Sequence, residues 1–209
     1  MRNKTASLNL TEIITDLEIE INKFRQERCW ADGLVWTEGC ITKDLYLVII
    51  DTLLMSHIIQ IEVALAFKHY FLAECKYEKL LSLKSLYIIL LEGYKRIKGF
   101  SKQKENLWDY IRPKCLNNSE MLKTKIQEID KLFTEFEQKD VFNRKNRDIF
   151  THYDVNVTLY CDSLYSINVE DILESYQTMT SFLLNPLIRL LKEIKYDIES
   201  FCPVVKKKE

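Results

Sequence analysis

The sequence predicts an all-α protein, and two observations lead to that prediction. The chain of 209 residues contains four Gly and three Pro, well below the average usage of about 7% and 5%. β-Sandwiches and barrels need turn residues about every 8–12 positions, and Rossmann and P-loop folds need the glycine motifs GxGxxG or GxxxxGK[ST], which this sequence lacks. Apolar residues instead recur at helical spacing over long segments.

Composition favours one globular domain. The chain is 47% hydrophobic and 29% charged, with 30 basic against 31 acidic residues, which argues against intrinsic disorder. We expect a single helical domain over residues 1–202 and a flexible basic tail at 203–209. The first residues contain no apolar segment of the secretory type, so we expect a cytoplasmic protein.

Six cysteines are scattered along the chain without a CxxC pair. In a protein that is not secreted, such cysteines are most often reduced, so we expect half-buried thiols. A disulfide between Cys29 and Cys40, or a redox-sensing thiol, remains as the alternative.

The first predicted helix extends to about Arg28. Asn9 and Glu12 form a plausible capping pair at its start. Its apolar residues follow a 3.6-residue period and comprise Ile13, Ile14, Leu17, Ile21 and Phe24.

The segment 29–42 holds two of the glycines and two of the three tryptophans. It is predicted to be a short structured loop that packs on the bundle through Trp30 and Trp36. Thr42 then resembles the cap of a very long apolar helix that reaches about Cys75.

The most apolar part of that helix, residues 45–67, is long enough to raise the question of a membrane span. Polar residues interrupt it at Asp51, His57, Gln60 and Glu62. A spanning helix needs about 20 largely uncharged residues, so we interpret this segment as a core helix. His57, like His69 on the same helix, is interpreted as a core or interface histidine.

Two shorter helices follow. One is predicted over residues 78–98 with Gly99 as its C-cap. The next is predicted from Ser101 to Ile111, where Pro113 stops it.

Another helix is predicted from Ser119 to about Gln138. Its apolar stripe, which we expect to be buried, comprises Met121, Leu122, Ile126, Ile129, Leu132, Phe133 and Phe136.

Residues 140–160 carry a polar motif. Asn168 then caps a last long helix, which reaches Ser200 and which Pro186 should kink.

The histidine count argues against a multi-histidine zinc centre. Only His57, His69 and His152 occur, and the sequence contains neither HExxH nor Glu-x-x-His. We therefore expect no metal ligands and no cofactor.

The motif lies in the segment RKNRDIFTHYD, residues 144–154, where ionisable groups are concentrated between apolar helices. Arg147 stands five residues before His152, with Asp148 directly after the arginine. This arrangement resembles the Arg-polar-x-x-x-His motif of the HEPN superfamily, which comprises helical domains of toxin–antitoxin, abortive-infection and CRISPR-associated ribonucleases. The resemblance is strongest over residues 140–200.

The resemblance implies a metal-independent endoribonuclease of stress response or phage defence, with RNA as the substrate. Its products would carry 2′,3′-cyclic phosphate and 5′-hydroxyl ends. His152 would exchange protons with the ribose 2′-hydroxyl and the leaving oxygen. Arg147 would hold the scissile phosphate, and Asp148 would orient one of the two.

The resemblance also implies a homodimer. Five helical residues rotate by about 500°, which leaves Arg147 and His152 about 140° apart on the cylinder. HEPN ribonucleases combine two motifs in one cleft across a two-fold axis. An antitoxin protein is a further expected partner, although Asp154 stands where nucleotidyltransferase-regulated HEPN toxins carry tyrosine, and Tyr153 lies one place early.

Two basic runs could contact phosphates. Arg144 and Lys145 adjoin the motif and, with Tyr153, are predicted RNA-binding residues. The other run comprises Lys95, Arg96, Lys98, Lys102 and Lys104. An ordinary solvated face remains the alternative for that run. A HEPN-fold binding or dimerisation module without catalysis, or an unrelated helical scaffold, remain the alternatives for the whole chain.

Overall fold

A computed structural model describes residues 2–33, 43–98, 107–118, 120–139 and 157–201. The described part of the chain is all-α, as the sequence predicts. The helices are α1 (Arg2–Asp32), α2 (Lys43–Leu72), α3 (Lys76–Ile97), α4 (Leu107–Asn118), α5 (Glu120–Glu137), α6 (Val157–Tyr165), α7 (Val169–Met179) and α8 (Asn185–Phe201). A π-helical turn, Thr180–Leu184, joins α7 to α8.

Helix α2 forms the centre of the bundle and packs against α1, α3, α4 and α8. Leu45, Ile49 and Leu53 are fully buried on it. Two buried hydroxyl groups are satisfied within the helix, because Thr52 donates to the carbonyl of Val48 and Ser56 to that of Thr52. The predicted core helix is confirmed.

By length and composition α2 could also cross a membrane. In its most apolar window, 56% of the residues are buried against the rest of the chain. A core helix meets the same criterion, so this is weak evidence for a span.

Helices α2 and α3 approach closely at Gly93. A Cβ atom placed there would lie 2.6 Å from Cδ1 and 2.7 Å from Cγ1 of Ile59, whose side chain is fully buried. The glycine therefore allows the two helices to pack at this distance.

Helix α1 is longer than predicted at both ends. It begins at Arg2, so Asn9 and Glu12 lie within it and the predicted capping pair is wrong. Ile14 and Phe24 are buried, but Ile13 is 48% exposed, because a helix turns only one side toward α2.

The predicted loop at 29–42 is partly helical, since α1 continues to Asp32. Trp30 is 47% exposed, so its predicted packing on the bundle is wrong. Trp36 lies outside the described residues. The end of α1 is held instead by Arg28, whose Nε donates to Asp51 at 2.9 Å.

Helix α4 contradicts the predicted stop at Pro113. The helix continues through the proline to Asn118. The predicted start at Ser101 lies outside the described residues. Burial of Trp108 and Ile111 holds this helix on the core. The indole Nε1 of Trp108 also donates to Asp130 of α5 at 2.9 Å.

The predicted stripe of α5 is confirmed where the structure describes it. Ile126, Ile129, Phe133 and Phe136 are buried, and Leu132 is partly buried against them. Met121 and Leu122 lie outside the described side chains.

The chain is helical throughout residues 169–201, as predicted after Asn168, with one π-helical turn in the middle. Asn168 caps α7, accepting from the backbone N–H of Glu170 at 3.0 Å. The π-helical turn then precedes Pro186, and the N–H of Asn185 donates to the carbonyl of Thr180. Proline lacks an N–H group, and a wider turn accommodates that loss.

The thiols of Cys29, Cys75 and Cys161 are free and exposed. The predicted half-burial is wrong for these three, because each lies on an outward face or at a helix start.

Candidate functional site

All six predicted catalytic and RNA-binding residues lie outside the described part of the chain. They are Arg144, Lys145, Arg147, Asp148, His152 and Tyr153. The structure does describe the helices on either side of this segment, which we call the motif segment (residues 140–156).

The helix before the motif segment is anchored to the bundle near its C-terminal end. The hydroxyl of Tyr94 on α3 donates to Glu137 at 2.6 Å. Two residues later, the ammonium group of Lys139 lies 4.3 Å from the ring centroid of Phe182 in the π-helical turn. The chain therefore enters the motif segment from a position fixed against α3 and the turn.

The helix after the motif segment is anchored to α3. Lys84 Nζ donates to the hydroxyl of Tyr160 at 2.8 Å. Lys76 Nζ lies 5.1 Å from the ring centroid of Tyr165. Since α3 also holds the end of α5, one helix positions both boundaries of the motif segment.

The other predicted basic run begins on the last turn of α3. Lys95 pairs with Glu92, and Lys98 Nζ lies 5.7 Å from the ring centroid of Phe133. Arg96 is exposed. Lys102 and Lys104 lie outside the described residues.

The described residues form an open groove between α2, α5 and α8, with a volume of about 720 Å³. Sequence reasoning did not identify it, since its residues come from three distant segments. The residues that line this groove, called here the α8 groove, are His57, Gln60, Lys125, Asn185, Ile188, Arg189, Lys192, Glu193, Tyr196 and Asp197.

Most charges in the α8 groove are paired. Lys125 Nζ lies 2.7 Å from Asp197 and 3.4 Å from Glu193. Burial alone would lower the pKa of Lys125, but the hydrogen bonds and negative charges of Asp197 and Glu193 together raise it above its ordinary value. Lys192 lies 3.1 Å from Glu20 of α1, and this bond lowers the pKa of the Glu20 carboxyl.

Arg189 differs from these lysines. It is exposed on α8, and within the described ranges no acidic side chain pairs with it. Its guanidinium group is thus available to an anion from solution.

His57 is 4% exposed although it lines the α8 groove, and it packs on Phe24 with ring centroids 5.4 Å apart. Its Nδ1 lies 2.7 Å from the carbonyl oxygen of Leu53. A carbonyl only accepts hydrogen bonds, so Nδ1 carries the proton. Burial lowers the pKa of His57, and the positive charge of Lys192 lowers it further.

The consequence is a neutral ring whose Nε2 is an acceptor. No group in the described part of the chain donates to Nε2.

The predicted core position is confirmed for His57, whereas His69 is exposed, because it lies on the outward face of α2 near its end.

A second polar cluster joins three helices beside the groove. The buried hydroxyl of Tyr46 lies 2.7 Å from Glu27 and 2.5 Å from Glu199, and Lys195 Nζ bridges the same two carboxylates at 2.5 and 2.9 Å. Burial and the two carboxylates raise the pKa of Tyr46 far above its ordinary value, so it stays a neutral phenol. This cluster holds α1, α2 and α8 together.

Comparison of the chain with protein-family models, curated proteins and solved structures gives no match. The HEPN resemblance therefore depends on the residues of the motif segment alone.

Proposed function

We propose that this protein is a metal-independent endoribonuclease of the HEPN type that acts in stress response or phage defence in the cytoplasm. The observation that carries the proposal is the spacing of Arg147 and His152, with Asp148 between them, in an all-α chain. RNA is the proposed substrate, and an antitoxin protein is a proposed partner.

The residue types suit cleavage by the ribose 2′-hydroxyl. That oxygen attacks the adjacent phosphorus and loses its proton to a base, the P–O5′ bond breaks, and the departing 5′-oxygen gains a proton. The products are a 2′,3′-cyclic phosphate and a 5′-hydroxyl. Histidine titrates near neutral pH and can serve either proton transfer. A guanidinium group binds two phosphate oxygens at once and stabilises the charge that develops on them.

The anchoring of the flanking helices supports this proposal. Catalytic groups must be held in place by a rigid framework. The end of α5 is bonded to α3 through Tyr94 and Glu137, and α6 is bonded to α3 through Lys84 and Tyr160. A segment with both boundaries fixed on one helix is suited to present a site.

A homodimer with its interface around Arg147–Tyr153 completes the proposal. Near the motif segment, the bundle exposes aromatic surface that such an interface could cover: Phe182 is 54% and Tyr165 is 53% exposed. Light scattering at micromolar concentration should give the mass of a dimer. A monomer there would contradict the composite site.

The residues are tested by RNA cleavage with purified variants. His152→Ala and Arg147→Ala should each remove most activity, and the double variant should lose little more, because groups that act on one transition state fail together. Arg147→Lys should also be poor, since an ammonium group cannot form the bidentate contact.

Matched controls are available in the described helices. His69→Ala and Arg25→Ala change exposed residues of the same types and should retain wild-type cleavage. Additive losses in the double variant would contradict one shared site. Absence of cleavage of any RNA by the wild type would favour the non-catalytic HEPN-fold module.

A further inference from the structure

We propose that the outward face of α1 binds the same face of a second copy of this chain, with the two helices antiparallel and Ile19 on the two-fold axis between them. This pairing is independent of the proposed ribonuclease activity and of the dimer proposed around the motif segment, because it uses a different helix.

Helix α1 carries apolar side chains on two opposite sides. Phe24 and Ala31 are buried against the bundle, where α1 packs on α2. On the other side Leu8, Ile19 and Trp30 are 65%, 60% and 47% exposed. They follow one another at intervals of eleven residues, which complete three helical turns and about 20°, so the three side chains lie along one line. A helix that packs on one neighbour needs only one apolar stripe.

The spacing along this outward line is symmetric about Ile19. An antiparallel copy therefore brings Ile19 against Ile19 of the partner subunit, and Leu8 against Trp30 of the partner subunit. The line from Leu8 to Trp30 is about 33 Å long. A two-fold interface must be complementary to itself, and here apolar side chains meet at the centre and at both ends. An unrelated partner would not require this symmetry.

The polar residues between these contacts also match. Asp16 and Lys23 are exposed, and neither forms an ion pair within the described helices. In the antiparallel arrangement Asp16 lies within one residue of Lys23 of the partner subunit, on the same flank of the line. The two-fold axis repeats this contact, so two ion pairs would form. On the other flank, Thr15 lies within one residue of Asn22 of the partner subunit.

The charges also fix the direction of the pairing. A parallel arrangement in the same register would place Asp16 against Asp16 of the partner subunit, and Lys23 against Lys23 of the partner subunit. Like charges at these positions would repel. The antiparallel arrangement is therefore the one that the sequence of α1 favours.

Sedimentation velocity of the full-length protein tests the assembly. Three apolar side chains from each subunit form a small interface, and small interfaces are weak. We expect the wild type to double its mass at about 0.1–1 mM, and Ile19→Glu to show no such doubling. If the dimer of the motif segment does not form, both starting masses are halved and the doubling of the wild type remains, so the two proposals are distinguishable. An equal mass for wild type and Ile19→Glu throughout this range would contradict the pairing.

A disulfide across the two-fold axis tests the register. Ile19→Cys places two thiols opposite each other and should give a covalent dimer with oxidised glutathione. Glu18→Cys is the matched control, because position 18 is also exposed but lies about 100° away around the helix. It should crosslink no more than the wild type, whose native cysteines give the baseline. Equal crosslinking of Ile19→Cys and Glu18→Cys would overturn the inference and indicate that something other than a second copy covers this face.

A charge exchange tests the direction of the pairing. In the Ile19→Cys protein, Asp16→Lys would place two lysines together and should slow crosslinking about fivefold. Adding Lys23→Glu restores opposite charges and should restore the rate. Both residues are exposed, so the variants should fold normally. A rate that Asp16→Lys leaves unchanged, or that Lys23→Glu does not restore, would overturn the antiparallel arrangement.

Discussion

The close approach of α2 and α3 at Gly93 can be tested by adding a single methyl group. In Gly93→Ala, the new Cβ would lie 2.6 Å from Cδ1 and 2.7 Å from Cγ1 of Ile59, well inside van der Waals contact. Ile59 is fully buried, so its side chain cannot move out into solvent to relieve the overlap. The helices must separate or the isoleucine must leave its rotamer.

Two effects of opposite sign contribute to the free energy of unfolding. Overpacking of a core typically costs about 1–3 kcal/mol. Replacing glycine by alanine inside a helix gains about 1 kcal/mol of intrinsic propensity. The single variant should therefore lose between about 0 and 2 kcal/mol, a range too wide to be decisive by itself.

A double-mutant cycle removes the propensity contribution. Ile59→Ala deletes the three atoms that the new methyl group would contact and should cost about 2–5 kcal/mol in the wild type. In the Gly93→Ala background the same change relieves the overlap and should cost about 1–3 kcal/mol less. The assay is urea unfolding of all four proteins, followed by circular dichroism.

A matched cycle serves as the control. Gly93→Ala combined with Ile14→Ala should be additive within about 0.5 kcal/mol, because α1 and α3 each pack on α2 but make no extensive contact with each other. Additivity of Gly93→Ala with Ile59→Ala would show that the two helices do not meet as described.

Three further stability measurements test other parts of the structure. Phe133→Ala should lower the free energy of unfolding in urea by about 3–5 kcal/mol, since Phe133 is 1% exposed and packs between Trp108 and Tyr94. A loss below about 1 kcal/mol would mean that another face of α5 is buried. Thr180→Val should stabilise the protein by about 1 kcal/mol, because Thr180 Oγ1 is buried without a hydrogen-bond partner in the described part of the chain. A loss of stability would show that this hydroxyl group has a partner. The pKa of His57 is lowered in the folded protein, so the unfolded state binds more protons. The free energy of unfolding should therefore fall as pH decreases below about 6.5, and His57→Phe should reduce this dependence on pH. An equal pH dependence in the two proteins would contradict a neutral buried ring.

The fold class and the α5 stripe could be predicted because each depends on local pattern. Few glycines and prolines, together with apolar residues at helical spacing, indicate helices wherever the chain packs. Ile126, Ile129 and Phe133 follow one another at intervals of three and four residues, which places them on one face of a helix. That face is buried.

The errors in helix boundaries arose where tertiary packing decides the outcome. Asn9 looked like a cap, yet α1 continues seven residues before it, to Arg2. Pro113 looked like a stop, yet burial of Trp108 and Ile111 favours a helix that runs through it. The bond from Trp108 to Asp130 reaches another helix and leaves no local signal.

The α8 groove could not be predicted for a related reason. His57, Lys125 and Arg189 are separated by more than sixty residues each, and only the packing of α2, α5 and α8 brings them together. The motif segment is the opposite case, since Arg147 and His152 are close in sequence and their pattern alone supports the proposed function.

The most direct test of the ribonuclease proposal is RNA cleavage by the wild type and by His152→Ala with EDTA present, with analysis of the product ends. We expect the wild type to cleave without metal and to leave 2′,3′-cyclic phosphate and 5′-hydroxyl ends, and His152→Ala to lose most of that activity. Equal cleavage by the two proteins, or cleavage by the wild type that EDTA abolishes, would contradict the proposed mechanism.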